Sequence, residues 1–352
     1  MIDRIHGGNC SRRDVIDFSV NTNPLGLPEG LADIISRNVD SILHYPDPSS
    51  ERLKSKLSIL HGVAPKNLAI GNGSIELIYL VPRAFKIKQP LMITPTFSEY
   101  EFAVRSSGSR PVFFNACEKD NFKIDCGKLA KHLPRCDALF LCNPNNPTGT
   151  LLHSDEVLYL SRHVKKHRGL LILDEAFIEF TEQSKSAAVI SEAVKNKSLV
   201  ILRSMTKSFS IPGLRLGYVI GHKEMIEKIA RLLYPWNVNG PAQLAGEKAL
   251  ADKDYMRRTR LFVANERRYM SERLSSIKGL KVYQSSANFI LCKLQDAPIL
   301  SSLTLTRRLL REGVYIRDCG NFRGLGDKFF RVAVRKRDDS DRLIKSIEKI
   351  FQ

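Results

Sequence analysis

The segment LVILRSMTKSFSIPGLRLGY, residues 199–218, joins a continuous apolar run to a lysine set among small hydroxyl side chains, and then to a Gly-Leu-Arg turn. Four apolar residues bounded by polar ones read as a short strand buried on both faces, the habit of parallel sheets covered by helices. The same signature recurs upstream at PLMITP (90–95), RPVFFNA (110–116), DALFLCNP (137–144) and GLLILDEAF (169–177). Segments with helical spacing of apolar residues lie between or before these runs, at 50–62, 75–85 and 154–167. This alternation predicts an α/β fold with a mostly parallel central sheet. After Trp236 the rhythm changes to a long helical region at 241–274, then KVYQSSANFILCKL (281–294), a helix LTRRLLREGV, a strand FFRVAVR (329–335) and a final amphipathic helix. That order suits a smaller α+β unit. The expected division is a large domain over 31–238 and a small domain formed by 1–30 and 239–352.

The 352 residues are 43% hydrophobic and 26% charged, the composition of a globular protein. No apolar run approaches the roughly 18 residues needed to cross a bilayer. The first residues, MIDRIHGGNCSRRDVIDF, lack the apolar centre of a signal peptide. A soluble, cytoplasmic protein is expected. Seven cysteines form no CxxC pair and no zinc-type spacing with histidine, so they read as reduced thiols and no metal is expected. The net charge of +18 would suit nucleic acid, membrane lipid or a small anionic substrate. The basic residues fall in short groups (SRR, VKKHR, RKR) without interleaved aromatics or a DNA-binding motif, which argues against nucleic acid.

In open α/β sheets ligands sit beyond the carboxyl ends of the strands, so the loops GNGS, TPTFSEY, CNPNNPTG, DEAF and SMTKS carry the chemistry. GNGS (71–74) lies where a strand hands over to a helix and could cradle a phosphate, although taken alone it reads first as a tight turn. Asp174 ends an apolar strand, where a carboxylate needs a positive or donating partner. A protonated heterocycle would serve, as would a local cap or salt bridge. Asn145 and Asn146 sit in a proline-rigidified turn that could aim an amide at a ligand oxygen. Ser204, Thr206 and Arg215 flank Lys207 with two hydroxyls and a guanidinium, the complement of a phosphate dianion. A phosphate clamp, a carboxylate for a ring nitrogen, an amide for a ring oxygen and a lysine able to form a Schiff base together describe pyridoxal 5′-phosphate.

The ordered series GNGS, PTFSEY, NPNNPTG, LDEAF, SMTKSF, GLRLGY and FRVAVR resembles the fold-type I pyridoxal-phosphate enzymes, in their histidinol-phosphate aminotransferase branch, over essentially the whole chain. The resemblance implies that Lys207 carries the cofactor, that Asp174 pairs with its pyridine nitrogen and Asn146 with its ring oxygen, and that Phe97 stacks on the ring. It assigns Ser204, Thr206, Arg215, Gly73 and Ser74 to the cofactor phosphate. Tyr45 would reach that phosphate from a neighbouring subunit, which implies a homodimer, and Arg331 would bind a substrate carboxylate. Phe177 stands where the aminotransferases usually have tyrosine.

Three further features, HGGN (6–9), DFSVNTNPLG (17–26) and Arg317 ahead of CGNFRGLGDKFFR, are similar to the threonine-phosphate decarboxylases of the cobalamin pathway. That resemblance places His6, Asn21 and Arg317 around a substrate phosphate, although His6 alone would read as a surface residue. It implies decarboxylation of O-phospho-L-threonine, or of O-phospho-L-serine, with histidinol-phosphate amino transfer as the alternative. A regulator without turnover and a nucleic-acid binder are the readings from other classes. The complete Lys207, Asp174 and Arg331 set stands against the first, and the lack of a DNA-binding motif against both.

Overall fold

The computed structural model describes residues 6–8, 14–182 and 187–352. Asn9 of the HGGN motif, Cys10 and the basic group at 11–13 lie outside the described residues. The strands are β1 (Ile16–Asp17), β2 (Leu68–Asn72), β3 (Pro90–Thr94), β4 (Val112–Asn115), β5 (Ala138–Cys142), β6 (Leu170–Asp174) and β7 (Leu199–Ser204). They continue as β8 (Leu216–Gly221), β9 (Leu280–Val282), β10 (Phe289–Leu294), β11 (Val314–Tyr315), β12 (Arg317–Asp318) and β13 (Phe329–Ala333).

Seven strands form the main sheet in the order β2-β8-β7-β6-β5-β3-β4. Only β8 runs against the rest, pairing antiparallel with both β2 and β7. The carboxyl ends of β2, β3, β5, β6 and β7 therefore share one edge. Asn72, Thr94, Cys142, Asp174 and Ser204 end their strands there. Successive residues of a strand face opposite sides, and here both sides are covered. Leu139, Leu141, Leu171, Leu173, Leu199 and Ile201 pack with Leu53, Leu57, Leu160 and Val164 on one face. Phe140, Ile172, Val200 and Leu202 pack with Leu77, Ile78, Val81 and Tyr100 on the other. Each such buried aliphatic side chain contributes roughly 1.5–3 kcal/mol, which is why the strand runs are continuously apolar. The exception is β4, read as fully buried but observed half-buried over Val112–Phe114. It is the outermost strand and has a neighbour on one side only.

The smaller sheet is antiparallel, in the order β12-β13-β10-β9. Arg317 and Arg331 face each other in register across β12 and β13. The N-terminal segment joins this unit through the parallel pair β1–β11 and through Ala333 N–H donating to Phe18 O at 2.8 Å. The helical region expected at 241–274 is two helices, Gly240–Ala249 and Tyr255–Ser275. Asp252 separates them, its Oδ1 accepting from Tyr255 N–H at 2.9 Å. A short polar side chain bonded to the backbone just ahead offers an alternative to continuing the first helix.

Candidate active site

A cavity of about 320 Å³ opens at the carboxyl edge of the main sheet. Of the residues singled out in the sequence, it is lined by His6, Asn21, Ser74, Phe97, Asn146, Asp174, Ser204, Thr206, Lys207, Arg215, Arg317 and Arg331. Gly73 and Tyr45 lie outside the lining.

Lys207 sits on the one-turn helix Met205–Ser208 that follows β7 directly. The N-terminal segment clamps this turn: Asn23 N–H donates to Lys207 O at 3.0 Å, and Asn23 Nδ2 donates to Ser208 O at 2.8 Å. The Lys207 side chain makes no ion pair among the described residues. Burial, with Arg331 and Arg215 adding repulsion, lowers its pKa to about 8. An amine so placed is available as a nucleophile near neutral pH.

Asp174 closes the far wall and is almost wholly buried. Its Oδ2 accepts from Tyr100 Oη at 2.6 Å and its Oδ1 from Ala176 N–H at 3.0 Å. Burial raises its pKa, and these two hydrogen bonds oppose the rise. Burial and the Asp174 charge hold the Tyr100 phenol well above its ordinary range, so it stays a donor. Cys142, in register with Asp174, is pushed up to about 12 by burial and by the same charge, and remains a thiol. Asp174 makes no ion pair among the described residues, and a protonated ring nitrogen in the cavity would give its charge a cationic partner.

The phosphate-type corner lies at the start of helix Ser74–Ala84. Gly73 precedes it at φ 76°, and a Cβ there would lie 2.7 Å from Arg215 Nη2. Glycine thus lets the guanidinium lie across the helix N-terminus. Ser204 Oγ and Thr206 Oγ1 are 2.7 Å apart beside it. Backbone donors, two hydroxyls and one arginine make an anion site. Of the two asparagines in the proline turn, Asn146 lines the cavity, whereas Asn145 is consumed by Thr96, Pro95 O and Thr148. Phe97 meets Tyr100 edge-on, with centroids 5.6 Å apart. Phe177, buried against Phe289, contributes a wall without a hydroxyl.

The opposite side is built from the small sheet and the N-terminal segment. Arg331 donates to Asn146 Oδ1 and, at 2.8 Å, to Ser19 O, while its buried Nε has no partner among the described residues. Burial and the nearby Arg317 lower its pKa to about 10. Arg317 donates to Asp318 O and to Asn321 Oδ1 and lies over the Phe322 ring. Asn21 Oδ1 is buried without a hydrogen bond among the described residues. His6 Nε2 lies 2.9 Å from Glu99 Oε1. Tyr45 is 81% exposed and stacks on Trp236 at 4.6 Å. Tyr100, Asn23, Ser19 and Glu99 escaped the reading of the sequence. The one usable signal was the i, i+3 spacing of Phe97 and Tyr100, which puts both on one side of a helical turn.

A buried carboxylate at a strand end, a lysine of lowered pKa and a separate anion corner fit pyridoxal 5′-phosphate. Lys207 would hold its aldehyde carbon, Asp174 its ring nitrogen, and the corner at Ser74, Ser204, Thr206 and Arg215 its phosphate.

Comparison with known proteins agrees. A model of the family "Aminotransferase class I and II" matches residues 13–347. A protein of Caldanaerobacter subterraneus subsp. tengcongensis with threonine-phosphate decarboxylase in its name is 38% identical over 354 residues, covering 99% of this chain and 94% of that one. The threonine-phosphate decarboxylase of Salmonella typhimurium is 33% identical, covering 100% and 98%. The crystal structure of the histidinol-phosphate aminotransferase from Clostridium acetobutylicum superposes with a TM-score of 0.87 at 32% identity, covering 95% of this chain and 98% of that one. The chain therefore belongs to the class I and II aminotransferase family, with its fold-type I architecture and its cofactor pyridoxal 5′-phosphate.

Proposed function

We propose that the protein decarboxylates an O-phosphorylated α-amino acid, O-phospho-L-threonine first and O-phospho-L-serine as its close variant. The products would be aminopropanol phosphate or ethanolamine phosphate, for the nucleotide loop of a cobamide. The observation that carries this reading is the in-register pair Arg317 and Arg331. Like charges directly opposite on neighbouring strands repel, and both side chains are buried at the cavity wall. Anionic charge between or beside them would relieve that repulsion. The cavity lining carries Lys207, Arg215, Arg317 and Arg331 against the carboxylates Glu99 and Asp174. With Arg215 read as holding the cofactor phosphate, Arg317 and Arg331 at the cavity wall fit a substrate bearing both a phosphate and a carboxylate.

The bound cofactor supplies an electron sink for whichever bond at the substrate Cα is broken. Asp174, its own charge steadied by Tyr100 and Ala176, would hold a proton on the ring nitrogen. Arg331, fixed by Asn146 and Ser19, grips the substrate carboxylate. Arg317, Asn21 and His6 take the phosphate. With both ends of a short molecule held, the orientation of its Cα substituents is set by these residues, which decides whether CO2 or a proton leaves. Lys207 Nζ is the group placed to return a proton to Cα. The buried, hydroxyl-free ring of Phe177 helps keep water from that carbon.

A second reading, histidinol-phosphate amino transfer, is favoured by the similarity to the Clostridium acetobutylicum enzyme. Incubation of the cofactor-loaded protein with each phosphoamino acid, without a 2-oxo acid, separates the two. Mass loss of CO2 from the substrate is expected. No loss from either, with turnover of histidinol phosphate and 2-oxoglutarate, overturns the first reading. We also read residues 31–238 as the large domain and the rest as the small one. We further propose that the protein works as a homodimer, with the exposed Tyr45, packed on the half-exposed Trp236, reaching a second copy. Among the described residues no helix is long and apolar enough to cross a membrane.

A further inference from the structure

Glu99 is a buried carboxylate in a cavity otherwise suited to an anionic ligand. Its own charge should repel the substrate, so its presence needs an account. It begins the helix Glu99–Ser106, whose N-terminus favours a negative charge. Its Oε2 accepts from Tyr79 Oη at 2.6 Å, and Tyr79 is fixed on the neighbouring helix Ser74–Ala84. Its Oε1 lies 2.9 Å from His6 Nε2.

A carboxylate can only accept, so His6 Nε2 carries the proton of that bond. The nitrogen left for a ligand is Nδ1. It can accept from a phosphate hydroxyl when the ring is neutral, and donate to a phosphate dianion when the ring is protonated. The backbone around His6 is placed as deliberately. A Cβ on Gly7 would lie 2.2 Å from Ser19 O, so only glycine lets this segment lie on the strand-like stretch behind it. Gly8 N–H donates to Ser19 Oγ at 2.9 Å, and Ser19 O is the acceptor that holds Arg331. Ser19 thus joins the His6 segment to the arginine across the cavity.

We infer that the chain Tyr79–Glu99–His6 is a positioning device for the substrate phosphate: Tyr79 fixes Glu99, and Glu99 fixes the His6 ring so that Nδ1 faces the bound phosphate. This rests on the phosphorylated-substrate reading above. Glu99 acts through His6 and is a positioning residue.

The test uses E99Q, Y79F and E99D in the full chain. Calorimetric titration of O-phospho-L-threonine and of unphosphorylated L-threonine into the cofactor-free protein measures binding without turnover. E99Q and Y79F should weaken the phosphorylated ligand by about 5- to 100-fold, as for loss of a hydrogen bond to a charged group. L-threonine binding should be unchanged, and E99D should recover part of the loss. In the cofactor-loaded enzyme the same variants should raise KM for O-phospho-L-threonine and change kcat little. Histidine-selective nitrogen NMR should show the Nε2–H form of His6 in the wild type and its loss in E99Q. In a His6→Gln background, E99Q should add nothing, as expected for one coupled unit. Equal weakening of both ligands, weakening of neither, or full additivity with His6→Gln overturns the inference. If wild-type protein binds O-phospho-L-threonine through Glu99 and His6 yet releases no CO2, the decarboxylase reading fails and the positioning device stands.

Discussion

The two walls of the cavity are made in different ways. The cofactor wall comes from adjacent strand ends of one sheet: Cys142, Asp174 and Ser204 end β5, β6 and β7, and Lys207 follows three residues after Ser204. Its geometry is dictated by ladders whose register is locked by apolar side chains on both faces. The substrate wall draws His6, Asn21, Arg317 and Arg331 from segments hundreds of residues apart, held by β1–β11, by the β12–β13 pairing and by side-chain bonds to backbone. The first wall supplies chemistry common to a whole family. On the reading proposed above, the second supplies excess positive charge, and with it the choice of substrate and of the bond broken.

If that division holds, damage to the first wall should stop turnover and spare binding, and damage to the second should do the reverse. Lys207→Ala should produce the largest effect, a fall in CO2 release on the order of 10⁴-fold or more, as when a covalent catalyst is removed. Calorimetry should still detect O-phospho-L-threonine bound to this variant. Asp174→Asn, followed by steady-state kinetics, should lower kcat by roughly 10²–10³-fold through lost charge stabilisation, with a small change in KM. Arg317→Gln should instead raise KM by about 10- to 100-fold, the worth of a hydrogen bond to a charged group, and alter kcat less.

The smallest effect concerns protons. Because Lys207 titrates near 8, stopped-flow capture of the cofactor by the cofactor-free protein should quicken as pH rises towards 8 and level off above it. The sign for stability follows from the same depression. Between about 8 and the ordinary lysine value of 10.5 the unfolded chain binds more protons at this lysine than the folded one, so its destabilising contribution, full below 8, is relieved as pH rises through that window. Thermal unfolding of the cofactor-free protein, wild type against Lys207→Met, measures it. A pH-independent capture rate would place the lysine in a different environment.

The cofactor wall was largely legible in the sequence because each of its motifs is a strand end plus its loop, a local pattern that apolar runs and turn residues announce. What was not legible depends on pairing at long range. Tyr100 meets Asp174 across 74 residues, and Glu99 meets His6 across 93. The facing of Arg317 and Arg331 exists only once β12 and β13 choose their register. The residues alone left Asn145 and Asn146 alike and only the family resemblance picked Asn146; the buried bonds of Asn145 to Thr96 and Thr148 show why it is the structural amide. The half-exposed β4 and the break at Asp252 were missed for a similar reason: edge position and a side-chain-to-backbone bond are properties of the assembled fold.

The measurement that tests the account most directly is a single turnover of the cofactor-loaded enzyme with O-phospho-L-threonine, following CO2 release and the form of the cofactor in the same sample. One CO2 per active site, with the cofactor recovered as its aldehyde, is the predicted result. Conversion of the cofactor to its amine form without CO2 would contradict it, and would mean that the substrate wall presents the Cα proton where the carboxylate is expected.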